Sequence, residues 1–198
     1  MINRVIEAGK EGTINTYMII PSGVYGTSTG PVKALGTIQY LMYEKVKELG
    51  FVPYVGEGST IFNTVSPLEL LCTTGSVSKI SKIHVEDIPP FILQVLDLAL
   101  KEKEPKGSVY SRIFIIGGQD NTWKEVSTAF AQASHAKGVV DSPVPKSVGR
   151  PEAGGGEIPD LMAKGMHIKM DRAKRLGFKA THPSLLDHLH QALEAYDL

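Results

Sequence analysis

The 198-residue sequence holds a single cysteine, Cys72. No internal disulfide can form, which fits a reducing, cytoplasmic setting. Charge of one sign is not in excess either: 21 Lys and Arg offset 21 Asp and Glu, for a formal net charge of zero. No window gathers lysines and arginines, which excludes a nucleic-acid binder held by phosphate electrostatics. No apolar run approaches the roughly 20 residues that span a bilayer. The opening stretch MINRVIEAGKEG lacks the apolar core of a secretory leader. The histidines other than His84, at 135, 167, 182, 188 and 190, form no ligand set by spacing. His188 and His190 stand two apart on a predicted helix and so point to different faces, and no metal is expected. No internal repeat is visible. With 42% hydrophobic residues, 20 Gly and 12 Pro, what remains is a soluble globular protein of one domain or a large part of one.

Periodicity then sets out the elements. Ile2 to Glu11 reads as a helix closed by Gly12, and Ile14 to Ile20 as a buried parallel strand bounded by Gly12 and Pro21. The loop PSGVYGTSTGP follows. Leu35, Ile38, Leu41, Met42, Val46 and Leu49 recur at helical spacing, with Gly50 as the stop. Phe51 to Val55 is a strand, followed by the turn Gly56-Glu57-Gly58. Asp87-Ile88-Pro89-Pro90 opens a helix to about Lys103, with Asp87 as N-cap. Arg112 to Ile116 is a strand. Thr122-Trp123-Lys124-Glu125 spells a capping box for a helix ending near Gly138, with Trp123 packing as a core residue. Residues 139–157 are polar and glycine-rich and read as a flexible loop. Asp171 to Leu176 and Ser184 to Tyr196 are the last helices. The alternation gives an α/β class, with only three or four strands.

Several pieces agree in order. The strand ending in Pro21-Ser-Gly-Val-Tyr-Gly26, the turn Tyr54-Val-Gly-Glu-Gly58 before Phe62-Asn63-Thr64, the segment His84-Val-Glu-Asp87 and the run Ala173-Lys-Arg-Leu-Gly-Phe178 together resemble the extended short-chain dehydrogenase/reductase family. Its members are NAD(P)-dependent epimerases, dehydratases and ketoreductases. The resemblance covers most of residues 1–198. It implies a partial doubly wound, Rossmann-like sheet plus a C-terminal substrate-binding lobe, with the N-terminal dinucleotide-binding half missing. The family's glycine fingerprint, its ribose-binding acid and its Tyr-x-x-x-Lys pair all precede the Pro21 strand, so the chain as given is expected to be inactive and Met1 to be an internal start. Two motifs imitate what is absent. Tyr43-Glu-Lys-Val-Lys47 has the spacing of the catalytic pair but lies after that strand, and reads as a solvated helix face. Gly23-x-x-Gly26-x-x-x-Gly30 has the wrong spacing for a phosphate loop.

In the family the glycine turn, the following strand and the His-Val-x-Asp segment run nearly continuously. Here Ser66 to Ile83 separates them and contains Cys72. Residues 66–83 therefore read as an insertion or a translated intron. Val65-Ser66 can be encoded GTN-AGT, like a splice donor, and Lys82 as AAG ends in AG. Removing Val65 to Lys82 restores Phe62-Asn-Thr-Ile83-His-Val-Glu-Asp87.

The resemblance assigns Pro21, Ser22, Gly23 and Val24 to the nicotinamide end of NAD or NADP, and Tyr25, Asn63 and His84 to the substrate. Independently of it, the carboxyl end of a parallel strand is where α/β sheets bind ligands. His84 also reads as a strand-end packing residue, and Asp87 as a helix cap. The expected function is the substrate half of an NAD(P)-dependent oxidoreductase or epimerase acting on a small carbonyl, alcohol or sugar-like substrate. The alternative is a non-catalytic binding or regulatory module working through a partner subunit. An unpaired edge on the Ile14 to Ile20 strand points to a homo-oligomer or to a partner chain covering it.

Overall fold

The structure, a computed structural model, describes residues 2–12, 14–26, 36–58, 80–102, 107–162 and 168–194. Its first helix, α1 (Ile2–Lys10), leads into strand β1 (Met18–Pro21) and, one residue later, β2 (Gly23–Tyr25). Helix α2 (Thr37–Leu49) and strands β3 (Pro53–Val55) and β4 (Ile80–His84) come next. A 3₁₀ turn, Val85–Asp87, joins β4 to α3 (Ile88–Lys101). Then follow β5 (Ile113–Ile116), β6 (Asp120–Asn121), α4 (Trp123–Ala136), β7 (Lys146–Val148), α5 (Glu157–Met162), α6 (Asp171–Arg175) and α7 (Leu185–Glu194). The expected α/β class is what the chain adopts.

The strands form three ladders. β1 runs parallel to β5, β2 parallel to β4, which also pairs antiparallel with β6, and β3 parallel to β7. The predicted strand Ile14 to Ile20 is thus shorter and later than expected. Its register, Met18 with Ile113 through Pro21 with Ile116, makes β1 only as long as its partner. The presumed loop after Pro21 holds β2, because Gly23-Val24-Tyr25 finds a second partner in β4. The polar stretch 139–157, expected as a flexible loop, contains β7 and buries Val140 and Ala153. Hydrogen bonds to β3 order it despite its polar side chains.

Two apolar clusters lie on the two faces of β4. Alternation along a strand sends neighbouring residues to opposite faces. From β4, Ile83 joins Phe91, Val95, Phe114, Ile116, Ala173 and Phe178, where Phe91 meets Phe114 and Phe178 edge-on at 5.8 and 5.1 Å. Lys82, next to it, faces the other cluster, which is centred on Trp123, Phe130, Tyr43 and Met42. Trp123 is fully buried, as expected. Tyr43 is also buried, at 1% exposure, which corrects the solvated-face reading of the Tyr43–Lys47 spacing: the ring is part of the core.

Helix ends follow the sequence closely where caps decide them. Gly50 takes φ 71° after α2. At α4 the Thr122 Oγ1 accepts from the Glu125 N–H at 3.1 Å, and the Thr122 N–H donates to Glu125 Oε2 at 2.7 Å. Thr122→Ala is expected to lower the unfolding free energy by about 1 kcal/mol, read as an earlier urea midpoint at unchanged slope. Asp87 departs from expectation. Its side chain makes no capping bond to α3; the 3₁₀ turn already places its backbone in the helical region, and the buried carboxylate turns instead toward Thr181 and His182.

The intervening segment 66–83 lies outside the described residues as far as 79. Residues 80–83 belong to β4, with Lys82 opposite Gly23.

Candidate functional site

Where β1 becomes β2 the chain changes partner. Pro21 is the last residue of the β5 ladder and Gly23 the first of the β4 ladder. Ser22 sits at this fork. Its N–H donates to the Ile116 carbonyl at 2.8 Å, and its buried Oγ has no hydrogen-bond partner among the described residues. Val24 packs against the cluster around Phe91. β5 leaves through Gly118, whose N–H donates to the Lys82 carbonyl at 2.7 Å. A Cβ there would stand 2.5 Å from that oxygen, so this close crossing requires glycine.

One step further along, β2 and β4 end together, Tyr25 opposite His84. Around them the fold gathers side chains far apart in sequence. The Tyr25 ring meets His84 edge-on at 5.3 Å, and His188 of α7 lies 5.3 Å from His84. His182 stacks on His84 at 4.5 Å with the rings nearly parallel. Gly26 closes the approach with φ 113°; a Cβ there would lie 2.7 Å from His84 Nε2.

Asp87 is the anchor of this group. It accepts from the Thr181 N–H at 3.1 Å and Oγ1 at 2.8 Å, and pairs with His182 Nδ1 at 2.8 Å. His182 Nε2 faces Glu86 Oε2 at 3.1 Å. Electrostatics follow from these partners. The hydrogen bond to Asp87 holds the His182 imidazole above its ordinary pKa. Burial pushes the Asp87 carboxyl up, but the bonds from His182 and Thr181 outweigh it and keep it below the usual range. Burial lowers His84 and His188, which favours neutral rings. The Tyr25 phenol, half enclosed and near Asp87 and Asp187, is pushed up to about 12. Its hydroxyl donates to the Pro183 carbonyl at 2.5 Å, so it stays protonated and is unsuited to proton transfer at neutral pH.

Of the residues singled out in the sequence, Pro21, Ser22, Gly23 and Val24 line the fork, Tyr25 and His84 come together, and Asn63 lies outside the described residues. The expectation that the other histidines form no set is corrected: His182 and His188 both lie against His84, because the loop before α7 folds back onto the end of β4. Sequence reasoning missed Glu86, His182 and His188. His182 is 95 residues from Asp87, and no local pattern links them. A cleft of about 250 Å³ between β5 and α6 and a groove of about 660 Å³ beside α2 lie elsewhere. Among the described residues, no helix is long and apolar enough to cross a membrane.

No protein-family model and no curated protein matches the sequence. Solved structures do. The PbgP3 protein from Burkholderia pseudomallei superposes with a TM-score of 0.55 at 13% identity, over 98% of this chain and 50% of that one. Pal from Bacillus thuringiensis superposes with a TM-score of 0.52 at 16% identity, over 98% and 49%. The chain therefore spans about half the length of these structures. At such identities the likeness is one of fold alone, a Rossmann-like α/β architecture.

Proposed function

We propose that this chain is the substrate-binding half of an NAD(P)-dependent oxidoreductase or epimerase, working on a small carbonyl, alcohol or sugar-like substrate. The observation that supports it is the strand fork at Ser22. In open α/β sheets, ligands bind at the carboxyl ends of strands where neighbours part. Here β5 and β4 part at Ser22, and the buried Oγ, without a partner among the described residues, fits the carboxamide of a nicotinamide, which offers both a carbonyl acceptor and an amide donor. Pro21, Ser22, Gly23 and Val24 would hold that end of the cofactor, whose chemistry when bound is hydride transfer. Tyr25 and His84, the next pair along the strands, would face the substrate. Tyr25 acts there as a wall rather than an acid, since its proton is committed to Pro183. A glycine fingerprint, and a Tyr-x-x-x-Lys pair placed ahead of the Pro21 strand, have no counterpart in the 198 residues. Activity is therefore proposed for the longer fold, and the chain by itself is expected to be inactive.

Sequencing the complete transcript tests this first. It is expected to read upstream into the fingerprint and the catalytic pair; a transcript that opens at the Met1 codon would overturn the reading. In the complete protein, Ser22→Ala is expected to leave the melting temperature unchanged, because the hydroxyl makes no hydrogen bond among the described residues. Loss of one neutral hydrogen bond, about 1 kcal/mol, should weaken NAD(P)H binding about fivefold. Unchanged cofactor affinity would remove Ser22 from the site.

A further inference from the structure

The turn after β4 and the loop before α7 assemble a second kind of chemistry, which shares His84 with the proposed substrate side but does not depend on hydride transfer. We infer that His84, Glu86 and His182 form a site for one divalent transition-metal ion, with Asp87 as the carboxylate that orients His182. Their possible ligand atoms all lie within 4.8 Å of one another. The separation of His182 Nε2 from Glu86 Oε2, 3.1 Å, is that of two donors each about 2.1 Å from one ion and about 95° apart.

The rest of the ring supports the assignment. His182 Nδ1 lies 2.8 Å from Asp87 Oδ1. A histidine that gives its Nδ1–H to a carboxylate keeps the Nε2 lone pair for a metal, the arrangement common behind ligating histidines. Asp87 is itself held by Thr181 and so serves as the orienting group. His84 brings the third donor. It is buried, and Tyr25 and His188 meet its ring edge-on. Its ring is parallel to that of His182, so one ring must turn for both lone pairs to reach one ion. His182 is held by Asp87, so the ring that turns is His84, which gives up only the 3.3 Å bond its Nδ1 accepts from the Glu86 N–H.

Two imidazoles and one carboxylate suit Zn²⁺, Co²⁺, Ni²⁺ or Cu²⁺, whereas Mg²⁺ and Ca²⁺ take oxygen ligands. Glu86 is 41% exposed and gives the ion a way in. Three protein ligands leave a further position for water or an oxygen donor.

The test uses the untagged full chain, stripped with a chelator and titrated calorimetrically with Zn²⁺ alone, with Mg²⁺ as comparison. One saturable Zn²⁺ site per chain is expected, and none for Mg²⁺. Glu86→Gln and His182→Ala are each expected to weaken Zn²⁺ at least about tenfold. His190→Ala, exposed on α7, is expected to leave it unchanged. Asp87→Asn is expected to cost about ten- to 100-fold and to shift the visible spectrum of bound Co²⁺, which a merely structural loss would not move. Visible absorption from Co²⁺ bound to the unaltered chain needs no variant. The site is overturned if no saturable Zn²⁺ binding occurs, or if binding survives both Glu86→Gln and His182→Ala in chains with native circular dichroism.

Discussion

Lys82→Met is expected to raise the unfolding free energy at pH 7 by on the order of 3 kcal/mol. Lys82 is 2% exposed, in the middle of β4, and no carboxylate pairs with it among the described residues. Its Nζ lies 5.0 Å from the centre of the Trp123 ring, and burial pulls the ammonium down to about 7 from an ordinary value of 10.5. The unfolded chain keeps that proton up to pH 10.5. Between pH 7 and 10.5 it therefore binds more proton than the folded chain, and stability rises with pH across this window. Above 10.5 both states are neutral and the penalty vanishes. Below 7 both are charged and it is constant. The full shift corresponds to roughly 5 kcal/mol, partly offset by about 1 kcal/mol of cation–π attraction to Trp123. Methionine keeps an unbranched apolar stem against the ring and carries no charge. Urea unfolding of both chains at pH 7 and pH 10 gives the difference directly: the gap between them should narrow by several kcal/mol. Parallel profiles would show that the charge of Lys82 finds compensation.

How much of this was legible depended on whether the deciding interaction was local. Gly50 and the Thr122–Glu125 box act within a turn of their helices, and both ends were readable. β2, β6 and β7 were not. Gly-Val-Tyr, Asp-Asn and Lys-Ser-Val carry no apolar alternation, and each is a strand only because a distant partner supplies its hydrogen bonds. The site divides in the same way. Pro21 to Val24 were picked out by the resemblance, with the rule that strand ends in α/β sheets bind ligands beside it, and His84 by the resemblance alone. His182 could not be picked out, since its role depends on a loop closing back across 95 residues onto Asp87. Asp87 was misread for a related reason: an aspartate before Ile-Pro-Pro has the form of a cap, and only tertiary structure shows its carboxylate turned toward Thr181 and His182.

Deletion of Val65 to Lys82 is expected to preserve the fold and to stabilise it at least as much as Lys82→Met. We propose that this segment is an insertion between Thr64 and Ile83, and β4 shows why its removal is tolerable. Joining Thr64 to Ile83 keeps Ile83 opposite Val24 and His84 opposite Tyr25, and puts Thr64 in the register position of Lys82 opposite Gly23. The two bonds made by the Lys82 backbone, its N–H to the Gln119 carbonyl and its carbonyl from the Gly118 N–H, can be made by any residue that is not proline. Phe62 and Asn63 would fall at the positions of Ile80 and Ser81, apolar for apolar and polar for polar. Gly58 lies against Lys124, and Ile80 pairs with Asn121 three residues earlier, so both ends of the shortened connection flank the start of α4; four extended steps from residue 58 to 62 span roughly 14 Å. Shortening the connection from residues 56–79 to 56–61 removes about 1 kcal/mol of loop-closure entropy, in addition to the burial penalty of the ammonium. The deleted chain should therefore lose the rise in stability between pH 7 and 10.5 altogether. Lys82→Thr in the uncut chain carries the same side chain at the same register position and separates the two contributions, since it removes the charge but not the loop. A deleted chain that is less stable than the unaltered one, while Lys82→Thr is more stable, would show that residues 65–81 contribute to the fold and that the segment is integral to it.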